Sequence, residues 1–219
     1  MKSKIVLAMT CILFLGAAQA ASSVDLKVAG KLAMGACVPT FESGNIIDMG
    51  HIPVKNMIAQ GTIGYKDPLY LDKKVSIDIT CATEVKLGFT ITDNQPGTVP
   101  GTFSTYLGAY GLGKTADDKN IGLFQLYKSD ATFDGKNAAL IWSKDGGKTW
   151  GADSSSLDSG NGNYMYAFAA SGETSPTPQS GKNFHLRMNT NVYFDKTVVD
   201  ALQDELAFQG TATFTMLYL

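Results

Sequence analysis

Side chains that commonly perform chemistry are few in this 219-residue chain. Its two histidines, His51 and His185, have no cysteine or acid beside them at the spacing of a metal-binding motif. No nucleophile elbow, phosphate-binding loop or pair of acids at a motif spacing is present. The sequence therefore predicts no catalytic residue, no metal site and no cofactor.

One segment does combine polar side chains at a fixed spacing: Ser143-Lys-Asp145-Gly-Gly147-Lys-Thr149-Trp150. Short side chains such as serine and aspartate bind nearby backbone groups and so hold a tight hairpin. The segment resembles the Asp-box of sialidases and related propellers, where it recurs in several blades, but it occurs once here. We therefore interpret Ser143, Asp145, Gly147 and Trp150 as a structural hairpin device, and we rank a sialidase-like glycoside hydrolase last.

Aromatic side chains are concentrated in the middle of the chain, where they suit either a sugar-stacking surface or a core. A core position is the favoured interpretation. The residues concerned are Tyr106, Tyr110, Trp142, Trp150, Tyr164 and Tyr166.

The first residues predict export. A positive start precedes an apolar run over residues 5–16, and Ala18-Gln-Ala20 is a small-x-small cleavage site. This pattern indicates a signal peptide over residues 1–20, which would remove Cys11. The remaining chain, 219 − 20 = 199 residues, suits one domain. Its formal net charge of −2 removes nucleic acid as an obvious partner.

Two cysteines, Cys37 and Cys81, remain after such cleavage. A single pair in an exported chain predicts a disulfide, with two free buried thiols as the alternative. The bond would close a loop of 81 − 37 = 44 residues. Chain-entropy arithmetic puts its contribution to stability at about 4 kcal/mol.

Alternating apolar residues predict many short strands separated by turn residues, with one helical candidate at residues 197–206. This pattern is typical of an all-β antiparallel sandwich. In the last strand Ala212, Phe214, Met216 and Tyr218 share one face, with threonines opposite. No further strand follows, so it is either an ordinary last strand or one that pairs with a strand from outside the chain.

Three features together resemble the pilins of the chaperone–usher family, the subunits of bacterial surface fimbriae. A signal peptide precedes an alternating segment that leads to Cys37, and Cys81 ends a strong strand. The carboxyl end, from Gly210 to Leu219, carries a penultimate tyrosine after an Ala-Thr-Phe run. The likeness is to a poorly characterised fimbrial-like branch of the family.

This resemblance implies an immunoglobulin-like sandwich over residues 30–219 that is incomplete and is completed by a donor strand. Residues 21–29 would be the donor extension, with Val24, Leu26 and Val28 as its inward side chains. The terminal strand, with Gly210, Phe214, Met216 and Tyr218, would pair with a chaperone or a donor.

The resemblance also implies the partners and the location. They are a periplasmic pilus chaperone, an outer-membrane usher and neighbouring fimbrial subunits, first in the periplasm and then on the cell surface. The alternative is a fimbrial tip or secreted carbohydrate-binding module of the same fold, for which a glycan receptor would be a partner.

Overall fold

The computed structural model describes residues 36–42, 44–67, 73–158 and 163–219. The expected signal peptide and the donor extension with Val24, Leu26 and Val28 lie outside these residues. The described residues form an all-β fold, as the sequence predicts. None of their helices has the length and apolar character needed to cross a bilayer.

Eleven strands make up this fold, together with a short helix, α1 (Lys196–Asp200), and 3-10 turns at Val54–Asn56 and Gly101–Phe103. The strands are β1 (Cys37–Phe41), β2 (Ile58–Ala59), β3 (Gly64–Lys66), β4 (Lys74–Asp93), β5 (Tyr110–Gly111), β6 (Gly122–Phe133), β7 (Lys136–Ser143), β8 (Ser156–Leu157), β9 (Met165–Ala170), β10 (Ser180–Asp195) and β11 (Ala212–Tyr218).

Strand β4 organises the fold because it belongs to two sets of paired strands. Its first half pairs with β1 and β10, and β10 continues to β6 and β3. Its second half pairs with β11 and β9, and β9 continues to β7. Strand β7 in turn pairs with β6 of the first set, so the two sets belong to one continuous sheet. All of these pairings are antiparallel.

Strand β4 is strongly bent between its two halves. Phe41 of β1 pairs with Ile77, and Phe214 of β11 pairs with Ile91, 91 − 77 = 14 residues further along β4. A straight strand would separate these positions by about 46 Å, since each residue adds about 3.3 Å. The rings of Phe41 and Phe214 nevertheless lie only 5.8 Å apart, centroid to centroid.

The main core lies between the two sets of strands. Phe168 of β9 meets Phe184 of β10 across it, with ring centroids 5.0 Å apart. Apolar residues alternate with polar ones along β4, so that one side of each half is turned inward. Ile77, Phe89 and Ile91 are accordingly almost completely buried in this core.

The expected disulfide between Cys37 and Cys81 is present and is confirmed. The two cysteines are also register partners, so the bond ties the first residue of β1 to the middle of β4. The helical candidate is shorter than expected, because α1 ends at Asp200. Its cap is the Asp195 carboxylate, which accepts from the Thr197 amide at 2.8 Å.

Candidate functional site

The first and last strands lie at facing edges of the fold. Over the described residues, β1 and β11 each pair with β4 along one side only. They approach each other through the contact between Phe41 and Phe214. Beyond this contact the segments 45–54 and 204–211 separate and leave an open cleft of about 1630 Å³. We call the Phe41–Phe214 contact the closed end of the cleft.

The floor of the cleft is one face of β10. Met188, Thr190, Val192 and Phe194 occupy alternate positions on this strand, so their side chains share a side. Phe208, in the wall that leads to β11, packs edge-on against Phe194 with ring centroids 4.9 Å apart. The floor therefore continues the apolar core beyond the closed end.

The walls expose large apolar side chains to solvent. Ile46 is 72% exposed and Val54 is 44% exposed, and both line the cleft. Phe214 is only half-buried, although its register partner on β4, Ile91, is completely buried. A contiguous apolar surface of this kind, beside an unpaired strand edge, is a typical place for another polypeptide to bind.

The residues predicted for the terminal strand take different positions. Gly210 and Phe214 line the cleft. Met216 and Tyr218 do not; they follow Phe214 along β11, past the closed end. The Tyr218 hydroxyl accepts a hydrogen bond from the Cys37 amide at 2.8 Å, so Tyr218 joins β11 to the start of β1.

Gly210 is required by close packing against β6. A Cβ atom at this position would lie 2.5 Å from Cε1 of Phe124 and 2.9 Å from the carbonyl oxygen of Gly111. Both distances are below any normal contact, so a larger residue would push the wall away from β5 and β6.

One polar group is buried in the otherwise apolar floor. Thr190 is 3% exposed, and its hydroxyl has no hydrogen-bond partner among the described residues. A buried hydroxyl without a partner costs about 1–3 kcal/mol. No pattern in the sequence indicates this group, because its position in the cleft depends on strand pairing.

The far end of the cleft carries acidic side chains. Asp48 lies in one wall, and Asp204 and Glu205 lie in the other. His51 also lines the cleft, and its Nδ1 atom lies 3.6 Å from a carboxylate oxygen of Glu205. Among the described residues that line the cleft there is no lysine or arginine. We call Asp48, Asp204 and Glu205 the acidic mouth.

The segment from Ser143 to Trp150 is a tight turn held by two side chains. The Ser143 hydroxyl accepts from the Gly147 amide at 2.9 Å and donates to the Asp145 carboxylate at 2.7 Å. That carboxylate accepts from the Thr149 hydroxyl at 2.6 Å and the Thr149 amide at 2.9 Å. These bonds from Thr149, together with that from Ser143, lower the pKa of Asp145.

Gly147 and Trp150 complete this turn. Gly147 has a φ of 86°, which favours glycine. A Cβ atom there would touch the Trp150 ring at 3.4 Å, so the two residues pack together. All the hydrogen bonds that Asp145 accepts, as named above, come from residues of the same turn. Asp145 therefore has a structural role in this turn.

The aromatic residues of the middle segment divide into two groups. Tyr110 and Tyr166 are buried, and burial raises the pKa of both hydroxyls. Trp142 and Tyr164 are half-buried neighbours with ring centroids 5.8 Å apart. The Lys144 ammonium lies 4.6 Å from the Tyr164 ring centroid. The half-buried residues Tyr106 and Trp150 lie in other clusters.

The two histidines are well separated. His185 lies on β10 beside its register partner Asp78, with Nδ1 2.7 Å from a carboxylate oxygen. His51 lies at the cleft. The described part of the chain contains no group of three or more histidine, cysteine, aspartate or glutamate side chains placed to hold a metal ion.

Comparisons with known proteins give two similarities. A family model described as a protein of unknown function (DUF1120) matches residues 26–107. The uncharacterized protein YhcF of Escherichia coli (strain K12) is 24% identical over 233 aligned residues, covering 94% of each chain. The part that matches the family model contains both cysteines of the disulfide and the whole of β4.

Proposed function

We propose that this chain is a structural subunit of a bacterial surface fimbria. In this proposal residues 1–20 direct export to the periplasm, where a pilus chaperone holds the subunit until an outer-membrane usher releases it. Subunits then polymerise by donor-strand exchange. The fold is accordingly an immunoglobulin-like sandwich that lacks one strand, and the protein has no catalytic function.

The observation that carries this proposal is the open apolar cleft between the segments that adjoin the first and last strands. A strand inserted there could form backbone hydrogen bonds with a neighbouring strand edge, while its alternate side chains cover the exposed apolar residues. Ile46, Val54 and Phe214 are the side chains whose exposed apolar surface an inserted strand would bury. Burying apolar surface contributes about 25 cal/mol per Å².

The length of the floor suits a short donor. From Met188 to Phe194 the floor extends over 194 − 188 = 6 residues. This corresponds to about 20 Å of strand, along which three or four inward side chains can lie. Val24, Leu26 and Val28 of a neighbouring subunit supply three such side chains in five residues.

A peptide that copies residues 21–34 tests this proposal. We expect it to raise the melting temperature of the mature chain, and to raise it further as the free peptide concentration increases, because it binds the folded state alone. The matched control is the same peptide with Leu26→Asp, which places a charge in the apolar floor. If saturating wild-type peptide leaves the melting temperature unchanged, the cleft is not a donor-strand site.

A second candidate function is a fimbrial tip or carbohydrate-binding module. The half-buried pair of Trp142 and Tyr164, with Lys144 beside it, favours this candidate because partly exposed rings can stack on sugars. Deletion of residues 21–29 separates the two functions. A polymerising subunit would lose its ability to donate a strand, whereas a binding module would keep its affinity for a glycan.

A further inference from the structure

The acidic mouth gives the cleft a charge preference in addition to its apolar floor. Asp48, Asp204 and Glu205 lie in the two walls. The Lys73 ammonium donates to the Asp48 carbonyl oxygen at 2.5 Å from outside the cleft and offsets part of the Asp48 charge, so Asp204 and Glu205 supply most of the negative charge of the acidic mouth. An occupant with positive charge at this end would therefore be favoured over a neutral or acidic one.

The amino-terminal segment of the chain has the complementary pattern. Val24, Leu26 and Val28 occupy alternate positions, which share one face of an extended strand. The opposite face carries Asp25 near its start and then Lys27 and Lys31. An extended segment can therefore place its apolar residues on the floor and keep both lysines at the surface.

We propose that the cleft selects the amino-terminal segment of a second copy of this chain, through attraction between Lys27 and Lys31 and the acidic mouth. This inference rests on the proposed function, to which it adds the identity of the donor. The chain would then be a repeating subunit of the fibre, because each copy would carry both the acidic mouth and the lysines that match it.

The same charges define the direction of insertion. Strand β11 runs from the cleft through the closed end and continues past it to Tyr218, whose hydroxyl accepts from the Cys37 amide. Lys31 reaches the acidic mouth when Val24 lies near the closed end, which makes the donor antiparallel to β11. The reverse direction would bring Asp25 towards Asp204 and Glu205, and like charges repel.

The test measures affinity for two labelled peptides by fluorescence anisotropy, with the full mature chain as receptor. One peptide copies residues 21–34, and the other carries Lys27→Glu and Lys31→Glu. We expect the wild-type peptide to bind about fivefold more tightly, as two exposed ion pairs would give. The difference should shrink in 1 M salt, where the Debye length falls to about 3 Å.

A receptor with Asp204→Lys and Glu205→Lys should reverse this preference and bind the charge-reversed peptide more tightly. The matched control is Glu173→Lys, which changes an exposed acid outside the cleft and should leave the preference unaltered.

The outcomes separate the inference from the proposed function. If neither peptide binds, the donor-strand function itself fails. If both bind with equal affinity, or if the receptor with Asp204→Lys and Glu205→Lys keeps the original preference, the cleft accepts a strand but the acidic mouth does not select it. Either of these two results overturns the inference and leaves the proposed function in place.

Discussion

The hydroxyl of Tyr218 accepts a hydrogen bond from the backbone amide of Cys37 at 2.8 Å, across 181 positions of sequence. Cys37 is in turn bonded to Cys81 of β4. The penultimate residue of the chain, the first residue of β1 and the middle of β4 are thus linked at one place. This linkage lies just beyond the closed end of the cleft and joins β11 to β1, so it supports the closed end.

Removal of this hydroxyl should weaken the closed end. We expect Tyr218→Phe to lower the free energy of unfolding by about 1 kcal/mol, the usual contribution of one hydrogen bond. Urea denaturation of the purified mature chain measures it. Tyr218→Ala, which also removes the ring, should cost more and should lower the periplasmic yield. Equal stability of Tyr218→Phe and the wild type would show that water replaces the bond without loss.

The hydroxyl of Thr190 should reduce the stability of the chain when the cleft is empty. Thr190→Val replaces it with a methyl group of similar size, so we expect the free energy of unfolding to rise by about 1 kcal/mol. Thr190→Ser keeps the hydroxyl and serves as the control, which should not be stabilised. A destabilised Thr190→Val variant would mean that the hydroxyl has a partner in solution.

Gly210 should be intolerant of even a small side chain. Gly210→Ala forces a Cβ atom to within 2.5 Å of Phe124, so we expect a loss of about 1–3 kcal/mol of stability. Gly101→Ala is the matched control, because nothing lies within 4 Å of a Cβ atom there. Thermal unfolding of the two variants compares them directly, and equal losses would contradict the close approach of Gly210 to β5 and β6.

The low pKa of Asp145 predicts a pH dependence of stability. Hydrogen bonds from Thr149 and Ser143 favour the carboxylate in the folded state. A group whose pKa is lowered by folding stabilises the protein above its unfolded value, about 3.9, and loses that contribution as the pH falls towards the folded value. We therefore expect Asp145→Asn to destabilise the chain at pH 7 and to have a smaller effect at pH 2.

Thermal melts of Asp145→Asn between pH 2 and pH 7 test this pH dependence. Glu173→Gln, an exposed acid outside the turn, is the control. The structural interpretation of the turn also predicts no turnover of glycoside substrates by the wild-type chain. Catalysis that was lost in Asp145→Asn without loss of stability would favour a hydrolase instead.

The features that the sequence alone determined are local or chemical. Alternation of apolar residues indicated the strands, because successive side chains point to opposite faces. The spacing of Ser143, Asp145 and Thr149 indicated a turn whose hydrogen bonds all lie within four residues of one another. The export pattern left one pair of cysteines, which made a disulfide the simplest outcome.

Tertiary structure decided what these elements build. Strand β4 is one continuous strand whose two halves pair with different strands. Its bend brings Phe41 to Phe214, and the cleft follows from it. Alternation records which side of a strand is apolar; it carries no information about which edge each half will pair with. The positions of Thr190, Asp48 and Glu205 around one cleft could therefore be known only from the fold.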